Sequence, residues 1–130
     1  MPNLSALILV FLGGGTGSLL RWRIGIAFGE KYTGKFPLGT FVINVTGAFL
    51  MGLLSTMLNV DWQDRYGSFF TALILTGVLG GYTTFSSYEL DSANVYNKGD
   101  RAGAFLYWAG SVILGLIAAV IGRWVALQFN

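Results

Sequence analysis

The sequence predicts an all-α membrane protein of four transmembrane helices, the third broken near Gly80 to Ser87. Three observations lead there. Apolar side chains make up 54% of the 130 residues and charged ones only 11%, against roughly 25% charged in a soluble domain. The charges are also segregated: Met1 to Leu20, Phe36 to Val60, Tyr66 to Tyr88 and Ala102 to Gly122 carry none, in runs of 20, 25, 23 and 21 residues. A helix needs about 20 apolar residues to cross the hydrocarbon core. Finally, the third run contains Gly80-Gly81-Tyr82-Thr83-Thr84-Phe85-Ser86-Ser87-Tyr88. Glycine weakens helices, and Ser and Thr compete for backbone hydrogen bonds, so this string is a poor continuation for a helix facing lipid.

The elements follow in order. Helix one is expected over about residues 4–28, with Arg21, Trp22 and Arg23 near the far interface, a level that suits Trp and a snorkelling Arg. No basic residue precedes this run, so it reads as a span and not as a secretory leader. A polar link from Gly29 to Lys35 leads to Pro37, a suitable first-turn residue for helix two, over about 37–57. Asn59 to Asp64 form the second link. Helix three is expected over about 66–95, starting near Arg65 and interrupted at the break; helix four covers about 101–129. The whole chain, 1–130, reads as a single transmembrane domain with both termini on one side.

Composition excludes much chemistry. There is no Cys and no His, which removes disulfides, thiolate metal sites and the commonest general base. No Asp, Glu, Lys or Arg lies within a charge-free run, so a proton relay, paired catalytic carboxylates or an ion-pair transport site lacks material. The chain does not read as an enzyme. Its net charge of +2 gives no footprint for nucleic acid.

What the spans do hold is neutral donors and aromatic rings: Thr40, Asn44 and Thr46 in helix two; Thr83, Thr84, Phe85, Ser86 and Tyr88 at the break; Tyr107 and Ser111 in helix four. Thr40 and Asn44 stand four apart, as do Tyr107 and Ser111, so each pair shares a helix face. A buried amide such as Asn44 must be hydrogen-bonded. It serves either as interhelical glue or as an N–H donor to a passing anion. Phe85 and Tyr88 either pack or turn positive ring edges toward an anion. Small residues spaced by four, Gly13 and Gly17, Ala48 and Gly52, Ser111 and Gly115, allow close helix approach, and their abundance points to an oligomer. The break is either a packing kink or a discontinuous helix whose ends form a site.

On these residues the chain resembles the Fluc (CrcB) fluoride channels. The string from Gly80 to Tyr88 is similar to the family's GGxTTFSTF signature. Gly13-Gly14 with Leu20-Arg21-Trp22, Gly39-Thr40 with Asn44, and Tyr107 with Ser111 match in order and spacing. The resemblance implies an antiparallel dimer in a bacterial cell (inner) membrane, with two fluoride pathways that passively lower cytoplasmic fluoride. It implies that Phe85 and Tyr88 occupy the two positions of a phenylalanine box, that Asn44, Thr40, Tyr107 and Ser111 line the pathway, and that Arg21 stands at an aqueous vestibule. It further implies that the backbone carbonyls of Gly80 and Thr83, from both subunits, hold a structural Na⁺. Two departures stand out: Tyr88 is where the family typically has Phe, and Gly115 is where some members have a hydroxyl.

The rival reading is a small proton-coupled exporter of the multidrug or cation type, which needs a carboxylate in helix one; Met1 to Leu20 has none. Coupled fluoride antiport would lean on Glu89 or Asp91, both placed at the mouth. Charge also bears on orientation. The links after helices one and three, with Arg21 and Arg23, carry six basic residues (Arg21, Arg23, Lys31, Lys35, Lys98 and Arg101) against two, Arg65 and Arg123, on the terminal side. A chain inserting equally both ways would be nearly balanced. Homodimerisation by dual insertion is the default, and the bias favours termini outside and a heterodimer with an oppositely oriented homologue. Tags on both termini are therefore expected mainly on the outer face of the membrane; equal exposure on both faces would overturn that bias.

Overall fold

The computed structural model describes residues 3–32, 34–61, 63, 66 and 68–130. Helix α1, Leu4–Lys31, starts at Asn3, whose carboxamide oxygen accepts the Ala6 N–H at 2.9 Å. This is an ordinary N-cap, satisfying a donor that the first turn leaves free. At 28 residues the helix is ~42 Å long, enough to project beyond a hydrocarbon core of about 30 Å. It runs three residues past the expected end and so shortens the first link. Pro37 precedes helix α2, Leu38–Met57, instead of lying in its first turn, and its carbonyl accepts the Phe41 N–H at 3.2 Å.

The third pass departs most from a regular helix. The start expected near Arg65 lies outside the described residues. Thr71–Leu79 is π-helical, not α-helical as its apolar composition suggested. Its entry is anchored by Ser68, whose hydroxyl accepts the Thr71 N–H at 3.1 Å. One α-turn, α3 (Gly80–Tyr82), continues it. The interruption itself is narrower than the composition of Gly80 to Ser87 predicts. Only Thr83 and Thr84 are extended, with φ/ψ of −76°/153° and −147°/115°. Helix α4, Phe85–Asn97, resumes at once. Gly99, at φ +92°, turns the chain into helix α5, Arg101–Leu127.

Helices α1, α2 and α5 are each long and apolar enough to cross a membrane, and the third pass is assembled from the broken pieces. The chain is an all-α membrane protein. Its large apolar side chains face outward, as with Phe11, Leu19, Val120 and Trp124, while the core between helices is made largely of small residues. α1 packs on the π-helical segment and α3, α2 on α5, and α4 on α5. A Cβ at Gly13 would collide with the Leu73 carbonyl oxygen and one at Gly17 with that of Val78. Gly52 and Gly122 fit α2 and α5 together in the same way, against the carbonyls of Ala119 and Phe49. Gly115 behaves differently: nothing lies within 4 Å of a Cβ placed there, so its pairing with Ser111 serves no contact inside one chain.

Helix α1 thus carries glycines of opposite consequence. Gly17→Ala must push α1 off rigid backbone and is expected to cost about 1–3 kcal/mol. Gly15→Ala, with open space around it, is expected to be neutral or slightly stabilising. Thermal unfolding of both variants in detergent checks this contrast.

Candidate functional site

The break sets the geometry. Asn44, in the middle of α2, reaches across to Thr84 with both ends of its carboxamide: Nδ2 donates to the Thr84 carbonyl at 2.9 Å and Oδ1 accepts the Thr84 N–H at 2.8 Å. A side-chain amide here replaces both helical partners of one backbone unit. Thr84 then caps α4, its hydroxyl oxygen accepting the Ser87 N–H at 3.2 Å. Gly47, one turn beyond Asn44, leaves room for the Thr83 methyl group. Thr84 is only 7% exposed, so water is not the alternative partner.

These two side-chain bonds have a consequence for the carbonyls. In an unbroken helix the Thr84 N–H would serve the Gly80 carbonyl, and the Ser87 N–H that of Thr83. Both donors are diverted, to Asn44 Oδ1 and Thr84 Oγ1. Leu79 keeps its partner, since its carbonyl accepts the Thr83 N–H at 3.0 Å. Gly80 and Thr83 are therefore oxygens at a helix C-terminal end, where partial negative charge accumulates. Gly80 is exposed and has open space at its α-carbon. Such neutral oxygens suit a hard cation of low charge. The chemistry of the donor set fits the Na⁺ that the sequence resemblance implies.

Aromatic rings continue from the break. Phe85 is 74% exposed, and its ring centroid lies 5.7 Å from that of Tyr88. Tyr88 is buried and lies 5.5 Å from Tyr107, which meets Phe36 edge-on at 5.4 Å. The Tyr88 hydroxyl does not turn to water: it donates to the Trp108 carbonyl at 2.6 Å. That bond ties α4 to α5 and leaves only the ring of Tyr88 available to a ligand.

The remaining donors can be sorted by whether they are engaged. The single proton of the Thr40 hydroxyl goes to Asp91 Oδ2 at 2.7 Å. Asn44 spends one of its two N–H groups on Thr84. Tyr107 Oη and Ser111 Oγ, by contrast, are buried and, among the described residues, make no hydrogen bond of good geometry, although the Thr40 hydroxyl, committed to Asp91, stands beside Tyr107. A buried unsatisfied polar atom costs about 1–3 kcal/mol, and native proteins keep few of them without a use. These two stand on adjacent turns of one helix face, beside the aromatic cluster, with hydrogen-bonding capacity to spare.

A cavity of about 570 Å³ opens beside this cluster, lined among others by Arg21, Thr40, Thr84, Ser87 and Asp91. Arg21, which the resemblance assigns to a vestibule, is one of the cavity's lining residues. Asp91, which the sequence places at the mouth, joins the site through this cavity and its bond from Thr40. Its spacing of four from Ser87 and three from Tyr88, on one face of α4, was the available signal. Glu89 is exposed and lies away from this cavity. Of the predicted residues, Asn44 is hydrogen-bonded to the break, Phe85, Tyr88 and Tyr107 form one ring cluster, Thr40 is hydrogen-bonded to Asp91, and Ser111 lies one turn from Tyr107.

Known proteins resemble the chain over most of its length. The sequence profile of the family described as CrcB-like protein, Camphor Resistance (CrcB), matches residues 8–123. A protein named fluoride-specific ion channel FluC 2 from Yersinia pseudotuberculosis serotype I is 56% identical over 117 residues, covering 90% of this chain and 93% of that protein. A FluC 2 from Brucella abortus biovar 1 is 54% identical over 117 residues, covering 90% and 91%. A FluC from Hydrogenobaculum is 42% identical over 120 residues, covering 91% and 94%.

The doubled bond from Asn44 makes it structural as well as polar. Asn44→Ala strips partners from both backbone groups of a buried residue and is expected to destabilise the chain by about 2–5 kcal/mol. Asn44→Gln, which keeps the carboxamide on a longer stem, should recover part of that loss; thermal unfolding in detergent measures both.

Proposed function

This chain belongs to the CrcB-like protein family, and from that premise we propose that it is a passive fluoride-selective ion channel that exports fluoride and lowers its cytoplasmic concentration. The observation that carries the reading is the pair of unsatisfied buried hydroxyls, Tyr107 Oη and Ser111 Oγ. Fluoride is a small anion that accepts strong hydrogen bonds, and neutral donors hold it without the trapping field of a fixed cation. Conduction needs binding strong enough to draw the ion in and weak enough to release it. The second Asn44 N–H and the ring edges of Phe85 and Tyr88 extend the same chemistry, and Arg21 at the vestibule raises the local anion concentration.

The functional unit in this reading is an antiparallel dimer. Phe85 is exposed on a single chain, beside a groove of about 330 Å³ that Asn44, Met51 and Thr83 also line. A ring in a conduction path requires a second wall. A second copy placed there would also bring its own Gly80 and Thr83 carbonyls toward those of the first, making one Na⁺ site from two broken helices. That ion would be structural and not transported, supplying the positive charge that the diverted carbonyls lack. The setting is the bacterial cell (inner) membrane. A homodimer by dual insertion satisfies this arrangement, and the basic bias of the links favours an oppositely oriented homologue as partner. A coupled exporter is not favoured: the relatives are named as ion channels, Glu89 is exposed away from the vestibule, and Asp91, which lines it, is hydrogen-bonded to Thr40.

Purified protein in liposomes, with fluoride efflux followed beside chloride, tests the proposal. Fluoride alone is expected to pass. Phe85→Ile should cut that flux by at least about tenfold, equivalent to about 1.4 kcal/mol on the barrier, while the dimer survives on size-exclusion chromatography. Equal chloride flux would overturn the selectivity, and unchanged flux in the variant would leave Phe85 a packing residue only.

A further inference from the structure

Two links that end on the same side of the helices meet in a small basic cavity. Lys35, between α1 and α2, and Lys98, just past α4, line a space of about 230 Å³ with Val95 and Asp100. Asp100 is engaged as the N-cap of α5, one carboxylate oxygen accepting the Gly103 N–H at 2.8 Å. Among the described residues neither lysine has an ion-pair partner. The next residue, Arg101, lays its guanidinium over the Tyr96 ring at 5.2 Å from the centroid. Three cations and one carboxylate leave this corner with a net charge of +2.

The surface next to it is of the opposite character. From Arg101 helix α5 runs into its apolar span, and one and two turns inward Phe105 and Trp108 face α4 across a groove of about 380 Å³. Tyr96, Phe105 and Trp108 are 50%, 64% and 48% exposed. Tyr and Trp favour the headgroup level of a bilayer, so this corner sits at the boundary between water and hydrocarbon. Glu89, next to the Tyr88 that bonds to the Trp108 carbonyl, also lines the groove. Val95 and Asp100 line the cavity and their chain neighbours Tyr96 and Arg101 line the groove; a cationic cavity beside an aromatic, open-sided groove is complementary to one kind of molecule, an amphiphile with an anionic head and an apolar tail.

We propose that Lys35, Lys98 and Arg101 bind the phosphate of an anionic glycerophospholipid, with one acyl chain lying along Phe105 and Trp108. The stacked guanidinium keeps its edge N–H groups free for phosphate oxygens, and the lysines act as point charges. A phosphatidylcholine headgroup would bring its own cation against both lysines, whereas phosphatidylglycerol brings none. Free phosphate would meet the cations but leave the groove empty. By joining the α1–α2 link to the α4–α5 turn, such a lipid would brace the wall of the vestibule, since Gly34, Phe36 and Pro37 flank Lys35 and line that larger cavity. The proposal rests on the chain's residence in a bilayer and not on which ion it conducts.

The test uses the purified full chain in detergent, supplied with equal amounts of phosphatidylglycerol and phosphatidylcholine, with retained lipid quantified by mass spectrometry. Phosphatidylglycerol is expected to be retained selectively, and less so as salt is raised, a dependence that needs no variant. Lys35→Gln with Lys98→Gln should weaken retention about thirtyfold, from about 1 kcal/mol for each basic residue removed. Lys31→Gln, an exposed lysine outside the cavity, should not change it. Equal retention of the two lipids, no salt dependence, or an equal loss in Lys31→Gln would overturn the proposal. Displacement of the lipid by equimolar inorganic phosphate would also overturn it, showing a free-anion site instead.

Discussion

A helix interrupted inside hydrocarbon leaves backbone N–H and C=O groups that no water can reach, and the rest of this fold depends on how one side chain answers that problem. The Asn44 carboxamide donates to and accepts from Thr84, doing for the backbone of one residue what two helical turns would otherwise do. Thr84, held in this way, becomes the cap of α4. The break is therefore not a loose kink but a junction with defined φ/ψ on both residues. An irregular backbone at membrane depth is tolerated only when it is satisfied in this manner.

The same clamp makes chemistry available. Diverting the Thr84 and Ser87 N–H groups frees two carbonyls, those of Gly80 and Thr83, at the negative end of one half-helix. It also starts α4, with its positive end, beside Phe85. Opposite poles are thus presented within a few residues, and discontinuous helices in membrane proteins use such ends to hold ions of matching sign. Beside the junction, the Tyr88 hydroxyl and the Thr40 hydroxyl are already committed, to Trp108 and Asp91. Those of Tyr107 and Ser111 are not. The division between structural and available donors is a property of the bonding network, and residue type alone does not reveal it.

Close packing supports this network from behind. Gly13 and Gly17 let α1 approach the π-helical segment to backbone contact, and Gly52 and Gly122 do the same for α2 and α5. Without a hydrophobic drive between helices in lipid, such contact and the hydrogen bonds it permits are what hold helices together. Among the described residues few side chains are fully buried, and Tyr107 and Leu75 are the largest of them. The broad apolar exterior faces lipid and, in the dimer proposed above, a second subunit.

Four charge-free runs, each long enough to cross a bilayer, determined the membrane class and the number of passes. The glycine and hydroxyl cluster of Gly80 to Ser87 determined that the third pass would be broken, because helix propensity and local hydrogen-bond competition are properties of neighbouring residues. Spacing of four placed Thr40 with Asn44 and Tyr107 with Ser111 on shared faces. Which of those groups are already bonded was decided only by the tertiary structure, because a hydrogen bond from Asn44 to Thr84, 40 positions away, or from Tyr88 to Trp108 depends on how helices cross. The π-helical form of Thr71–Leu79 and the half-buried place of Asp91 against Thr40 belong to the same class. Periodicity in one segment carries information about its own faces and none about the partner that a face will meet.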